Sequence, residues 1–248
     1  MSNRIGWCDT TWNPVTGCTP ISEACDHCYA RSMSQRLKGR FGYPADDPFR
    51  VTLHPDKLDE PLKWRKPRRV FVVSMGDLFH EDVRFNFIAA VFGVMAACPQ
   101  HTFLLLTKRP ERVLEWFSWD QKRQEQGKSM FPNDDDEWRI RQMLCVEGRK
   151  HGANIPPHHG GEWPLPNVWL GVTAENQDRL EERTGILLQI PSAKRFVSLE
   201  PMLGPMELHQ YIPHFEGCRC PECYHRAFKS QPAYTLDWVI LGQETGPG

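Results

Sequence analysis

The chemistry-bearing residues of this chain are its cysteines. There are nine in 248 residues, and six of them fall into two tight groups, Cys18-x6-Cys25-x2-Cys28 and Cys218-x-Cys220-x2-Cys223. Three thiolates in one loop can each hold one iron of a cubic iron–sulfur cluster. A tetrahedral zinc site needs a fourth ligand, for which His27 lies within the loop and Cys8 shortly before it. The second group, followed by His225, reads as a small zinc knuckle or a second iron–sulfur site, although its spacing is tighter than the usual paired C-x2-C zinc arrangement. Cys98 ends the apolar run FNFIAAVFGVMAAC, where a thiol serves as a small buried hydrophobe, and Cys145 receives no role. Nine is odd, so full pairing is impossible, and it is too few for a disulfide scaffold at this length. The opening MSNRIGWCDTTWNP has no apolar core of a signal peptide, so the expectation is reduced thiols in a cytoplasmic protein.

The elements that must position these groups follow from hydrophobic patterning. Short continuous apolar runs occur at Val70–Ser74, Thr102–Leu106, Val168–Val172, Arg195–Ser198 and Trp238–Leu241, as expected of strands buried on both faces of a parallel sheet. Trp12–Val15 can add a first strand ahead of Cys18. Asp82–Ala97 and Glu175–Gln189 carry helical periodicity, the latter starting near Glu175 or Asn176, so strand–helix alternation predicts an α/β fold with right-handed crossovers. Such folds place chemistry at the C-terminal ends of strands. Those ends carry the first cysteine group, Ser74/Gly76/Asp77, Thr107/Lys108/Arg109, Thr173/Glu175/Asn176, Glu200 and Gln243/Glu244. For Ser74, Asp77 and Asn176 a helix-cap role is equally open; Glu200 and Glu244, each beside Pro or a Gly-rich turn, fit that role less well.

Two polar segments interrupt the alternation. Residues 120–166 are expected to form an accessory lobe with a helix over Asp134–Arg149, and their His158-His159 pair reads as surface loop; residues 213–234 hold the second cysteine group. Lys and Arg total 30 against 31 Asp and Glu, a net charge of −1 that disfavours a globally basic nucleic-acid binder. No apolar run of about 18 residues exists to span a membrane. Gly-rich phosphate loops and the G-x-S-x-G elbow are both missing from the sequence, which removes nucleotide-loop and serine-hydrolase readings.

The string TWNPVTGCTPISEACDHCYARSMSQRL resembles the phage- and prophage-associated three-cysteine-motif proteins, a domain family of unknown function that is similar to radical S-adenosylmethionine (SAM) enzymes. The likeness continues through FVVSMGDLFHEDV, FLLLTKRPERV, NVWLGVTAENQDR, RFVSLEPMLGP and LDWVILGQETGPG. It implies one domain built on a partial (βα)6 TIM-like barrel of radical SAM type with the polar segments inserted. Cys18, Cys25 and Cys28 would hold a [4Fe-4S] cluster whose open iron binds SAM, with Cys8 outside the ligand set. One-electron cleavage of SAM would then yield a 5′-deoxyadenosyl radical that abstracts a substrate hydrogen, the cofactor carrying the hard chemistry. Tyr29 would pack near adenine, Ser74, Gly76 and Asp77 would bind the SAM amino group, and Thr173, Glu175 and Asn176 would lie near the ribose. Glu200, Lys108 and Arg109 would act on SAM or substrate. The spacing here is C-x6-C-x2-C, where the common radical SAM motif has C-x3-C-x2-C, and the resemblance implies a further helix and strand after Gly248.

The sequence also admits two other classes. Lys63-Trp64-Arg65-Lys66-Pro67-Arg68-Arg69 interleaves an aromatic with basic residues, as a metal-stabilised nucleic-acid binder would, or forms a solvated linker before a buried strand. The resemblance also implies a three-Cys-motif partner protein and an electron donor, so a non-catalytic cluster protein acting through a partner is the third reading.

Overall fold

The structure is a computed structural model that describes residues 5–125, 144–153, 155, 164–212 and 235–242. Its frame is a six-stranded sheet built from β1 (Thr10–Trp12), β4 (Arg69–Val72), β5 (Thr102–Thr107), β6 (Val168–Thr173), β7 (Lys194–Leu199) and β8 (Trp238–Leu241). Every neighbouring pair is parallel and the strands lie side by side in chain order. All six C-terminal ends therefore meet along one edge. The fold is mixed α/β, and among the described residues the sheet does not close into a barrel.

The remaining strands, β2 (Val15–Thr16) and β3 (Thr52–Leu53), form a small antiparallel pair beyond β1. The expected single strand Trp12–Val15 is thus split. Pro14 brings no backbone N–H, and Asn13 turns its side-chain carbonyl to accept the Met75 N–H (3.0 Å) and the Ser74 hydroxyl (3.2 Å), so the chain leaves the main sheet there. Helices α1 (Tyr29–Leu37), α2 (Phe85–Ala96), α3 (Pro110–Glu125), α4 (residues 144–150) and α5 (Gln177–Leu187) connect the strands. The helix expected from Asp82 starts only at Phe85, because His80 turns the preceding segment, its Nδ1 accepting the Asp82 N–H at 3.1 Å and its carbonyl the Val83 N–H at 3.0 Å.

Alternate strand residues feed two apolar layers, as a period of two requires. Val70, Val72, Phe103, Leu105, Leu170, Val172, Val197 and Leu199 pack against the helices, with α2 buried over most of its length. Full burial of each such side chain is worth roughly 1.5–3 kcal/mol. Phe71, Leu104, Phe196 and Ile240 point to the other face, where Trp7, Trp169 and Trp238 join them. The Trp7 ring centroid lies 4.6 Å from that of Phe71 on β4 and 6.3 Å from that of Trp238 on β8. In a flat sheet four strand spacings would set β4 and β8 about 19 Å apart, so the sheet curls toward this face around an aromatic floor.

Candidate functional site

The first cysteine group lies in the loop after β2, and a pair of glycines brings that loop to the end of β4. Gly17, at φ +85°, forms a parallel bridge with Gly76, and its N–H donates to the Met75 carbonyl at 2.9 Å. A Cβ on Gly76 would stand 2.6 Å from the Gly17 carbonyl oxygen. Gly76 thus has a steric reason for being glycine: two backbones meet with no room for a side chain. The preceding residue but two, Val73, is held at φ +58°, a region costly for a β-branched residue, while its N–H donates to the Trp12 carbonyl at 2.7 Å.

Cys18, Cys25 and Cys28 are free, half-buried thiols. Cations from the end of β5 reach two of them across the chain. The Arg109 Nη1 stands 3.5 Å from the Cys18 sulfur and 3.6 Å from Asp77 Oδ2, while its Nη2 donates to the Thr19 carbonyl and hydroxyl, both at 3.1 Å. The Lys108 Nζ stands 3.6 Å from the Cys25 sulfur and 3.2 Å from the Ser22 hydroxyl. Cys28 instead packs with Cys18 against the apolar group of Ala30, Tyr43, Phe49 and Met75. Burial and the nearby Asp77 carboxylate push the Cys18 thiol up to about 11 against the pull of Arg109. At Cys25 burial is outweighed by backbone hydrogen bonding from Ile21 and by the Lys108 charge, so its thiol lies below the ordinary value.

The carboxylates of the site are engaged. Asp77 is buried; its oxygens accept the Thr107 hydroxyl at 2.8 and 2.9 Å, the Phe79 N–H at 2.9 Å and the Lys108 N–H at 3.2 Å. In this arrangement it braces the end of β4 to the end of β5. Glu175 is fully buried, and its Oε2 accepts from Arg183 at 2.9 Å and lies 4.0 Å from Lys108 Nζ. Burial alone would raise its carboxyl, but the Ser22 hydroxyl, Lys108 and Arg183 together hold it below the usual range. Its Oε1 has no hydrogen-bond partner among the described residues.

Other expected site residues take visible structural roles. Asn176 caps α5, its side chain accepting the Arg179 N–H at 3.0 Å. The Thr173 carbonyl accepts from the buried Arg183. The Tyr29 hydroxyl donates to the Ser74 carbonyl at 2.7 Å, and burial of that end raises its pKa although half of the residue is exposed. Glu200 accepts the Ser198 hydroxyl at 2.9 Å and stands against Gly242. Cys8, Cys98 and Cys145 are buried in apolar layers. The second cysteine group with His225, the His158-His159 pair and Gln243/Glu244 lie outside the described residues.

Sequence reading missed several participants. His80 is fully buried with its Nε2 2.8 Å from the Thr19 hydroxyl, so the residue after Cys18 is held by both His80 and Arg109. Ser22, Asn13 and Arg183 carry no local sequence signal for the site, whereas Gly17, immediately before Cys18, does. The basic run opens β4 and so stands at the opposite edge from the thiols. Within it Lys63 pairs with Asp59 (2.9 Å), Arg69 with Asp9 (3.0 Å), and Arg68 lies over the Trp64 ring. A groove of about 610 Å³ lined by Arg84, Asn86, Arg112, Trp119 and Lys150 lies on the helical layer, away from the thiols.

Among the described residues no three His, Cys, Asp or Glu side chains converge on a point where one metal ion would bind. A cubic cluster asks for something different, since each thiolate binds a separate iron. Three unpaired thiols on one short loop, two with cationic N–H donors at their sulfurs, form a donor set suited to such an anionic group. No helix among the described residues is long and apolar enough to cross a membrane.

Fold and site together define an α/β protein with a curled parallel sheet and a thiol–cation constellation on the C-terminal edge of its strands. The chain belongs to the family DUF5131, a protein family of unknown function, whose model matches residues 2–248. No curated protein and no solved structure matches it.

Proposed function

We propose that the protein is a radical SAM-type iron–sulfur enzyme on a partial (βα)6 barrel, with a [4Fe-4S] cluster held by Cys18, Cys25 and Cys28. The observation that carries this reading is the meeting of Lys108 and Arg109, from the end of β5, with the sulfurs of Cys25 and Cys18 on the edge where parallel α/β sheets do chemistry. The curled sheet in chain order supports the barrel. With SAM bound, such a cluster supplies one-electron cleavage of the sulfonium and a carbon radical.

The chain's own groups would do the rest. Gly17 and Gly76 hold the cysteine loop against the sheet, and His80 and Arg109 fix Thr19 beside Cys18. The main chain at Ser74–Gly76 and the exposed ring of Tyr29 would flank SAM, while Glu200, at the end of β7, would face substrate. Since both oxygens of Asp77 already serve the chain, its part in SAM binding would be to shape the β4 turn. The basic run lies at the other edge of the sheet, where Lys63 and Arg69 form surface ion pairs with Asp59 and Asp9.

The test is anaerobic reconstitution followed by iron, sulfide and zinc analysis, with Cys218, Cys220 and Cys223 replaced by Ala so that only the first group is read. About four irons and four sulfides per chain are expected, lost when Cys18, Cys25 and Cys28 become Ala. Dithionite with SAM should then release 5′-deoxyadenosine. Zinc without iron would overturn the reading, and iron without 5′-deoxyadenosine under several reductants would overturn the enzyme assignment.

A further inference from the structure

We infer that Lys108 and Glu175 set the reduction potential of the cluster, Lys108 raising it and Glu175 restraining it; this rests on the cluster reading of the cysteine loop. Reduction of a [4Fe-4S] cluster by one electron adds one negative charge spread over iron, sulfide and ligand thiolates. Charges fixed near the ligand sulfurs therefore shift the oxidised–reduced balance. The Lys108 Nζ is 3.6 Å from the Cys25 sulfur in a half-buried position, close enough for one unit charge to change the balance by an order of magnitude even at a high effective dielectric.

Two features separate Lys108 from its neighbour. Arg109 ties down the loop backbone through Thr19 and is matched by Asp77, so its loss would move Cys18 as well as remove charge. Lys108 reaches only side-chain atoms of the loop, Ser22 Oγ and Cys25 Sγ. Its ion-pair partner among the described residues, Glu175 Oε2 at 4.0 Å, is already bonded to Arg183 at 2.9 Å. Glu175 does not touch a cysteine in this network. It acts through Lys108 as a positioning residue, and its ionised carboxylate opposes the lysine's field at the sulfur. The fully buried position of Glu175 keeps that field from being screened by solvent.

The experiment is an EPR-monitored redox titration of the reconstituted full chain with dithionite as the one-electron donor, for wild type, Lys108→Gln, Lys108→Arg and Glu175→Gln. Lys108→Gln keeps a donor for Ser22 without the charge, and Glu175→Gln keeps an acceptor for Arg183. The expected result is a roughly tenfold smaller reduced-to-oxidised ratio at fixed potential for Lys108→Gln, about 59 mV for one electron. Lys108→Arg should stay near wild type, and Glu175→Gln should shift the opposite way. Opposite signs from two neighbouring substitutions are a charge effect that mere loosening would not give. A loaded wild type with an unmoved Lys108→Gln potential, or shifts of one sign in both variants, overturns the inference alone. Failure of Lys108→Gln to hold iron while Lys108→Arg loads also overturns it, because the lysine would then serve retention. A wild-type chain that takes up no iron overturns the cluster reading itself.

Discussion

Replacing Gly76 by Ala tests whether the glycine bridge is what seats the cysteine loop. The new Cβ would stand 2.6 Å from the Gly17 carbonyl oxygen, 3.1 Å from the Gly17 nitrogen and 3.3 Å from the Thr16 carbonyl carbon. All three are backbone atoms, so no rotamer change relieves the contact and the strands must separate. Overpacking of this kind costs about 1–3 kcal/mol, and losing the hydrogen bond from Gly17 to Met75 adds about 1 kcal/mol. A total of roughly 2–4 kcal/mol is within the ordinary stability of a domain, so the variant should fold with a Tm lower by about 4–16 °C. Thermal and urea unfolding of the metal-free chain measure this, and iron uptake should fall in parallel as Cys18 is displaced. Gly185→Ala is the control: a Cβ there meets nothing within 4 Å on α5, so it should be neutral to stabilising by up to about 1 kcal/mol. If Gly76→Ala unfolds with wild-type stability and binds iron fully, the bridge does not position the loop.

The thiols of the metal-free chain should differ in reactivity at pH 8. Cys25, held below the ordinary thiol value, should alkylate with iodoacetamide before Cys18, whose value of about 11 keeps it protonated until the pH approaches that range; Cys18 labelling first on peptide mapping would contradict the geometry. His54 gives a pH-dependent stability. Buried, and hydrogen-bonded to Thr16 at 2.8 Å, it is lowered by desolvation and then by Lys57 from 6.5 to about 4. The unfolded chain therefore binds the extra proton between those values, so the stabilisation is complete above about pH 6.5 and is lost as pH falls toward 4. The loss should be up to about 3 kcal/mol, on top of the same-signed effects of His80 and His101. A His54 imidazole titrating near 6.5 by NMR would refute this, and His54→Gln should flatten the urea-midpoint profile in that window.

The sheet was legible because its chemistry is local. Runs such as Phe103-Leu104-Leu105 have one explanation when both faces are buried, and the five later strands of the main sheet fall within a residue or two of their expected ends. Where side chains rather than periodicity decide, the sequence was silent. Asn13 breaking the first strand depends on Ser74 and Met75, partners that only the folded chain brings near. The site divides the same way. The cysteine spacing is visible in the chain itself, whereas the Lys108–Cys25 and Arg109–Cys18 contacts join positions 83 and 91 residues apart. Lys108 and Arg109 read as groups for an incoming anion because nothing local indicated that thiols and carboxylates of the same chain would already face them. Asn176, open between cap and ligand in the sequence, is a cap in the structure.

The aromatic floor of the sheet has an optical consequence. Trp7 and Trp169 each meet Trp238 edge-on at centroid separations of 6.3 and 6.2 Å, near the N-terminal edge of the sheet, whose C-terminal edge faces the thiols. Six strand residues span only about 20 Å, so these indoles lie within energy-transfer range of any chromophore at the opposite edge. An iron–sulfur centre absorbs broadly across the tryptophan emission band. If the cysteine loop holds the proposed cluster, its loading should be read as quenching of the intrinsic tryptophan fluorescence to which the floor contributes, a signal that needs no label.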